Sequence, residues 1–230
     1  MPVYRLTHEL VFPPVHFAET GLLAVGGDLS RDRLLLAYRS GIFPWYSEGE
    51  PILWWAPDPR MVLFPNEFHC SRSLRRFLNK NPFRITLNQA FPEVIRACAT
   101  IPRRKEDGTW ITDAMEQAYI DLHKAGYAMS IECWQGDTLA GGIYGVALGG
   151  CFFGESMFSR ATNGSKVAIY TVVEAAKAWG MPFIDCQVAN DHLSSLGARE
   201  ISRREFMKHL ERGLKTRLHA DAWRTLPEAR

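Results

Sequence analysis

Residues 139–154, LAGGIYGVALGGCFFG, carry no charged side chain, and no other stretch limits the possible folds so sharply. A helix crossing a bilayer needs roughly 18 or more consecutive apolar residues, and this run is shorter and interrupted by glycines. It reads instead as a β-hairpin with strands at 138–148 and 150–158. The chain around it can supply a core: 230 residues, 47% hydrophobic and 12% aromatic, suffice for one large domain or two small ones. Lys and Arg number 27 against 25 Asp and Glu, so bulk charge does not announce a nucleic-acid binder, and any basic surface must be local.

Turn chemistry divides the rest. Ser30 caps a short helix that Gly41 stops, and Ser71 caps a second over SRSLRRFL. Between them, SEGEPILWWAPDPRMVLFP reads as short strands broken by prolines. Asn79 to Pro82 is the expected boundary, giving an N-terminal α/β domain over 1–80 and a second domain over 81–230. There the pattern predicts a strand at 83–87, a helix from Asn88 to about Thr100, a charged loop IPRRKEDG (101–108), and a helix from Thr112 to Gly126. Strands at 127–134, 138–148 and 150–158 follow, then a helix near 165–179, a strand at 183–188, and a helix opened by Ser202 and Glu205. This is an α+β chain whose second domain, with a mixed, largely antiparallel sheet, resembles the N-acetyltransferase superfamily.

The strand FIDCQVANDH (183–192) holds polar groups in an apolar setting. Side chains alternate, so Asp185 and Gln187 share a face with Phe183 and Ala189, while Ile184, Cys186 and Val188 face the core. The same parity in CFFGESMFSR puts Glu155 with Phe153 and Met157. Two readings stand. In one, Asp185 caps a neighbouring turn and Glu155 pairs with Arg160; in the other, positioned carboxylates line a cleft.

Several chemistries are excluded. There is no G-x-S-x-G elbow, no H-E-x-x-H and no G-x-x-x-x-G-K-[ST] loop. Five cysteines, odd in number and without a C-x-x-C pair, fit neither a disulfide frame nor a zinc site. Cys186 reads as a core thiol and His192 as a loop residue, with Asn190 and Asp191 making the turn between strand and loop. An acetyl-CoA enzyme needs a [RQ]-x-x-G-x-[GA] phosphate loop; in SRATNGSKVA the spacing from Arg160 to Gly164 is one residue too long and Lys166 replaces the last small residue. The fold can be shared without that cofactor, and none is expected. MPVYRLTHELVFPP shows no secretion signal, which fits a cytoplasmic protein with no membrane association.

Five stretches in order, GLLAVGGDLS, YRSGIFPWYSEGEPILWWAPDPR, GTWIT, GGIYGVALGGCFFGESMFSR and IDCQVANDHLSSLGAREISRREF, resemble the bacterial leucyl/phenylalanyl-tRNA-protein transferases over roughly residues 20 to 210. The resemblance implies transfer of Leu or Phe, less often Met, from aminoacyl-tRNA to proteins beginning with Arg or Lys, marking them for degradation. It implies a monomer needing neither metal nor cofactor, because the ester is already activated and the attacking amine, with a pKa of roughly 7.7–8.0, is partly neutral. Under it Gln187 orients the amine, Asp185 accepts its proton and Glu155 holds the ammonium of the carried residue. Replacing Asp185 is expected to abolish transfer without harming the fold. Ile143, Phe152, Met157, Ile169 and Val172 are candidate walls of the side-chain slot, with Asn190 within reach of the site. Tyr38, Trp45 and Trp110 match positions the family uses around the terminal adenosine. Arg72, Arg75 and Arg76, on one helix face, are expected to grip tRNA phosphates, with Arg203, Arg204, Lys208 and Arg212 as the competing patch. An acyl-CoA-dependent acetyltransferase and a noncatalytic tRNA-binding module are the rival readings.

Overall fold

A computed structural model describes residues 3–101 and 110–227; the charged loop expected at 101–108 lies, from 102 onward, outside the described residues. The chain opens with β1 (Tyr4–Leu6) and β2 (Leu22–Gly26). Helix α1 (Arg31–Arg39) follows, its first turn closed by the Ser30 side chain accepting the Arg33 N–H. Strands β3 (Phe43–Pro44) and β4 (Leu53–Trp55) complete a small sheet of order β1-β2-β4-β3.

The main sheet has seven strands: β5 (Arg60–Leu63), β6 (Arg84–Leu87), β7 (Ala128–Gln135), β8 (Thr138–Leu148), β9 (Cys151–Ser159), β10 (Phe183–Gln187) and β11 (Arg199–Ile201). Their order is β11-β5-β10-β9-β8-β7-β6. The expected hairpin is β8–β9, and all pairings in this sheet are antiparallel except β9 with β10. β5, ahead of the expected boundary at 79–82, pairs with both β10 and β11, which follow it. β11 and the one-turn helix α6 (Asp191–Ser195) were too short to leave a periodic signal.

Helices cover both faces of the sheet. Besides α1, they are α2 (Arg72–Leu78), α3 (Phe91–Thr100), α4 (Asp113–Lys124), α5 (Gly164–Trp179) and α7 (Arg203–Lys215). α1, α3, α4 and α7 bury Leu34, Phe91, Val94, Met115, Phe206 and Leu210 against one face; α5 buries Val167, Ala168, Val172 and Val173 against the other. α3 begins at Phe91 rather than Asn88, which takes a left-handed backbone and accepts the Ser130 N–H on its side chain. The buried Glu132 carboxylate, held by Thr86 and Ser130, sits beside the Gln89 and Ala90 N–H groups just ahead of α3. Among the described residues no helix is long and apolar enough to cross a membrane.

Candidate active site

The cleft arises where two strands part. β9 and β10 run parallel and pair at Phe183–Cys151, Ile184–Phe152 and Asp185–Phe153, and there pairing ends. Beyond that point Gly154 to Met157 and Gln187 to Val188 line a cavity of about 270 Å³. Phe43 and Pro44 of β3, Trp45, Trp110 and the apolar Ile143, Ile169, Ile184 and Leu193 also line it.

Both strands break register at the same depth. In β9 the pairs Tyr144–Ser156 and Gly145–Gly154 leave Glu155 as the extra residue of a bulge. Gly145 is required there, since a Cβ on it would lie 2.3 Å from the Phe153 carbonyl oxygen. The bulge reverses parity: Phe152 packs in the α5 core, whereas Phe158, six residues on, packs in the opposite one. Met157 therefore sits against the α5 side and does not share a face with Phe153, as strict alternation predicts. In β10, Asp185 pairs with Val62 and Gln187 with Met61, so Cys186 is the extra residue. Gln187 takes a φ of 63°, in the left-handed region.

Asp185, expected to face an open crevice, is fully buried. Arg60 Nε and Nη2 donate to its two carboxylate oxygens at 2.9 and 2.6 Å, a bidentate pair. Arg60 is itself 1% exposed, donates Nη1 to the Gly41 carbonyl oxygen at 3.2 Å, and lies 4.6 Å from the ring centres of both Phe43 and Phe206. The aspartate Oδ1 also accepts the Gln187 backbone N–H at 2.9 Å, so the turn-capping reading describes part of what Asp185 does. Glu155 does not pair with Arg160, whose guanidinium lies 5.4 Å from the Phe158 ring centre.

Glu155 is the second carboxyl of the cleft. Its Oε1 accepts from Gln187 Nε2 at 2.8 Å and its Oε2 from the Tyr119 hydroxyl at 2.9 Å. Burial pushes its pKa from 4.5 to about 7, against the lowering effect of Tyr38 and Tyr119; nearby Asp185 adds to the rise. The Gln187 carboxamide, with its nitrogen committed to Glu155, turns its oxygen away from that carboxylate within a side chain that lines the cleft. Burial raises the Tyr38 and Tyr119 hydroxyl pKa values, with the Glu155 charge second. Burial likewise raises the Cys186 thiol, so it is no nucleophile even though it lines the cavity. Among the described residues no group of three or more His, Cys, Asp or Glu side chains is placed to hold a metal.

The candidate positions divide clearly. Glu155, Asp185, Gln187, Trp45, Trp110, Ile143, Met157, Ile169 and Asn190 line the cavity. Trp45 is 40% exposed at its mouth, and Asn190 caps α6 by accepting the Leu193 N–H at 2.9 Å. Tyr38 cannot stack on a nucleoside: it is fully buried against Phe153, with its hydroxyl hydrogen-bonded to that of Tyr119. Phe152 and Val172 are core residues, the former stacked on Trp223, and neither lines the cavity. Arg72, Arg75 and Arg76 are exposed on α2. In the competing patch Arg203 is withdrawn, donating to the Val15 and Ala18 carbonyl oxygens. Arg60 and Tyr119 went unnoticed in the sequence, although an arginine opening the apolar run RMVLF is the kind of partner a buried aspartate requires.

Comparison with known proteins agrees along the chain. The family model for leucyl/phenylalanyl-tRNA protein transferase matches residues 62–211, and the model for that family's N-terminal domain matches residues 27–58. Three relatives, each called leucyl/phenylalanyl-tRNA–protein transferase, are close in sequence. The protein of Syntrophobacter fumaroxidans is 57% identical over 224 residues, 97% of this chain and 96% of the relative. That of Syntrophus aciditrophicus is 55% identical over 229 residues, 99% and 96%; that of Pseudomonas fluorescens is 56% identical over 216 residues, 93% and 95%. A solved structure, L-PGS from Bacillus licheniformis, is similar at a TM-score of 0.41 and 13% identity, covering 76% of this chain and 57% of that one.

Proposed function

The chain belongs to the leucyl/phenylalanyl-tRNA protein transferase family, and we propose that it moves Leu or Phe from aminoacyl-tRNA onto the N-terminal Arg or Lys of proteins, marking them for degradation. The observation that carries the mechanism is the Gln187–Glu155 hydrogen bond at the floor of the cleft where β9 and β10 part. The incoming amine attacks the ester carbonyl carbon; a C–N bond forms, the C–O bond to the ribose breaks, and the amine proton ends on the departing ribose oxygen. Gln187 accepts an amine N–H on its carboxamide oxygen and so aims the nitrogen lone pair. Glu155 receives the ammonium of the carried residue, a cation that favours its ionised form. Ile143, Met157, Ile169, Ile184 and Leu193 offer the apolar slot that Leu or Phe needs.

Trp45 and Trp110 also line the cleft, and base stacking on them suits the terminal adenosine. The exposed Arg72, Arg75 and Arg76 stripe suits phosphates of the acceptor stem. We read the second sheet as acetyltransferase-like, with one parallel pair parting beside the long helix α5, and the protein as a cytoplasmic monomer. The test is direct: incubate the protein with Phe-tRNA charged with phenylalanine and a peptide beginning with Arg. A peptide heavier by one phenylalanine residue is the expected product, and Gln187→Ala slows its formation by about 100-fold or more. An unchanged peptide, or one modified only when acetyl-CoA is supplied, refutes the assignment.

A further inference from the structure

We propose that Arg60 is a positioning residue for the transfer reaction, acting through Asp185 to set the Gln187 carboxamide and through Phe43 to set the facing wall of the cleft. The inference rests on the reading above, in which Gln187 orients the attacking amine.

Arg60 lies outside the cleft lining and is 1% exposed, so it does not touch a substrate. Its contacts nevertheless lead into the site from two directions. Nε and Nη2 fix both oxygens of Asp185, which sets the plane of that carboxylate. Oδ1, the oxygen bound to Arg60 Nε, is also the acceptor of the Gln187 backbone N–H. That hydrogen bond ties down a residue whose φ of 63° is uncommon for any side chain but glycine. From that backbone the Gln187 side chain reaches Glu155 at 2.8 Å. Two hydrogen bonds thus separate the guanidinium from the backbone that presents the amide.

The second direction runs through the faces of the guanidinium. Phe43 and Phe206 each lie with ring centres 4.6 Å from it. Phe43 lines the cleft beside Pro44 and Trp45, whereas Phe206 belongs to α7. Nη1 holds the carbonyl oxygen of Gly41, two residues before Phe43. One side chain on β5 therefore holds the strand carrying Gln187 and the stretch from Gly41 to Phe43 that leads to Trp45. A lysine has the same charge but one nitrogen in place of the fork, so it cannot orient the carboxylate and the Gly41 carbonyl together.

A positioning role and a purely structural one differ in how the loss combines with loss of Gln187. Single-turnover transfer at saturating Phe-tRNA is measured for the parent chain, Arg60→Lys, Gln187→Ala and the double variant, per active molecule by active-site titration. Arg60→Lys is expected to lower the rate about 20-fold or more with the Phe-tRNA KM within about threefold, and to lower it less than about twofold in the Gln187→Ala background. Independent, multiplying losses overturn the proposal, as does a parental rate for Arg60→Lys. If Arg60→Lys lacks a cooperative melting transition, Asp185→Asn is carried through the same cycle and judged by the same coupling. A parental rate for Gln187→Ala overturns the reading on which the inference rests; a slow Gln187→Ala beside a parental Arg60→Lys overturns the inference alone.

Discussion

Replacing Glu155 by Gln should make the protein more stable at alkaline pH and less stable at acid pH. The carboxyl binds its proton more tightly in the folded chain than in the unfolded one, with a pKa raised by burial from 4.5 to about 7. The folded state thus carries the extra proton between those values, and stability falls as pH rises through that window; above it the full penalty is present. Two and a half units at about 1.4 kcal/mol each amount to about 3 kcal/mol at pH 8. A glutamine escapes that penalty. It also has one oxygen where the carboxylate used two, so Gln187 Nε2 or the Tyr119 hydroxyl loses its acceptor, at a cost of about 1 kcal/mol. The net expectation is a gain of about 2 kcal/mol at pH 8 that shrinks to about zero at pH 5, where the parent already carries about 1 kcal/mol of the penalty, and becomes a loss of about 1 kcal/mol below the unfolded pKa. Urea unfolding followed by far-ultraviolet circular dichroism at both pH values measures it. The same difference between the two proteins at pH 5 and pH 8 would refute the argument, since only a Glu155 that holds its proton equally well folded and unfolded leaves that difference independent of pH.

Asp185→Ala is expected to lower stability by about 3–5 kcal/mol in addition to abolishing transfer, because it strands the Arg60 guanidinium in the core; a melting temperature equal to the parent's would show the pair to be dispensable. Trp45→Ala, at a 40% exposed position, should leave thermal stability nearly unchanged while weakening Phe-tRNA binding by about 1–3 kcal/mol, read by filter binding. Arg76→Glu should weaken the same binding and flatten its dependence on salt; an unchanged slope would move the phosphate contact away from α2. Gly145→Ala, forcing a Cβ to within 2.3 Å of the Phe153 carbonyl oxygen, should straighten or break the Glu155 bulge, and a urea midpoint equal to the parent's would argue against that close packing.

Local signals in the sequence determined most elements. Ser30, Ser71, Thr112 and Ser202 each cap the helix they precede, because a cap depends on residues three apart and needs no distant partner. The hairpin at 138–159 and the strand holding Asp185 and Gln187 were legible for the same reason. Family resemblance, carried by motifs along the chain, pointed to Asp185, Gln187 and Glu155, which the fold brings to one cleft. Parity failed beyond the bulge, since a bulge is a disagreement between two strands and each strand alone still alternates. Thus Met157 changed faces; Phe152, ahead of the bulge, went into the core by packing on Trp223.

Tertiary structure alone decided which polar residues are free to act. Asp185 and Glu155 look alike in sequence, each an acid within an apolar strand. Asp185 is matched by an arginine 125 positions away, and Glu155 by two neutral donors, Tyr119 and Gln187. A carboxylate gripped by the fork of a buried guanidinium is fixed in place, whereas one facing neutral donors is left with the cost of burial. Tyr38 was likewise decided by packing, which turned it from the surface toward Tyr119. Periodicity fixes which residues share an element, but the partners that set their chemistry arrive only when β5, α4, β9 and β10 meet.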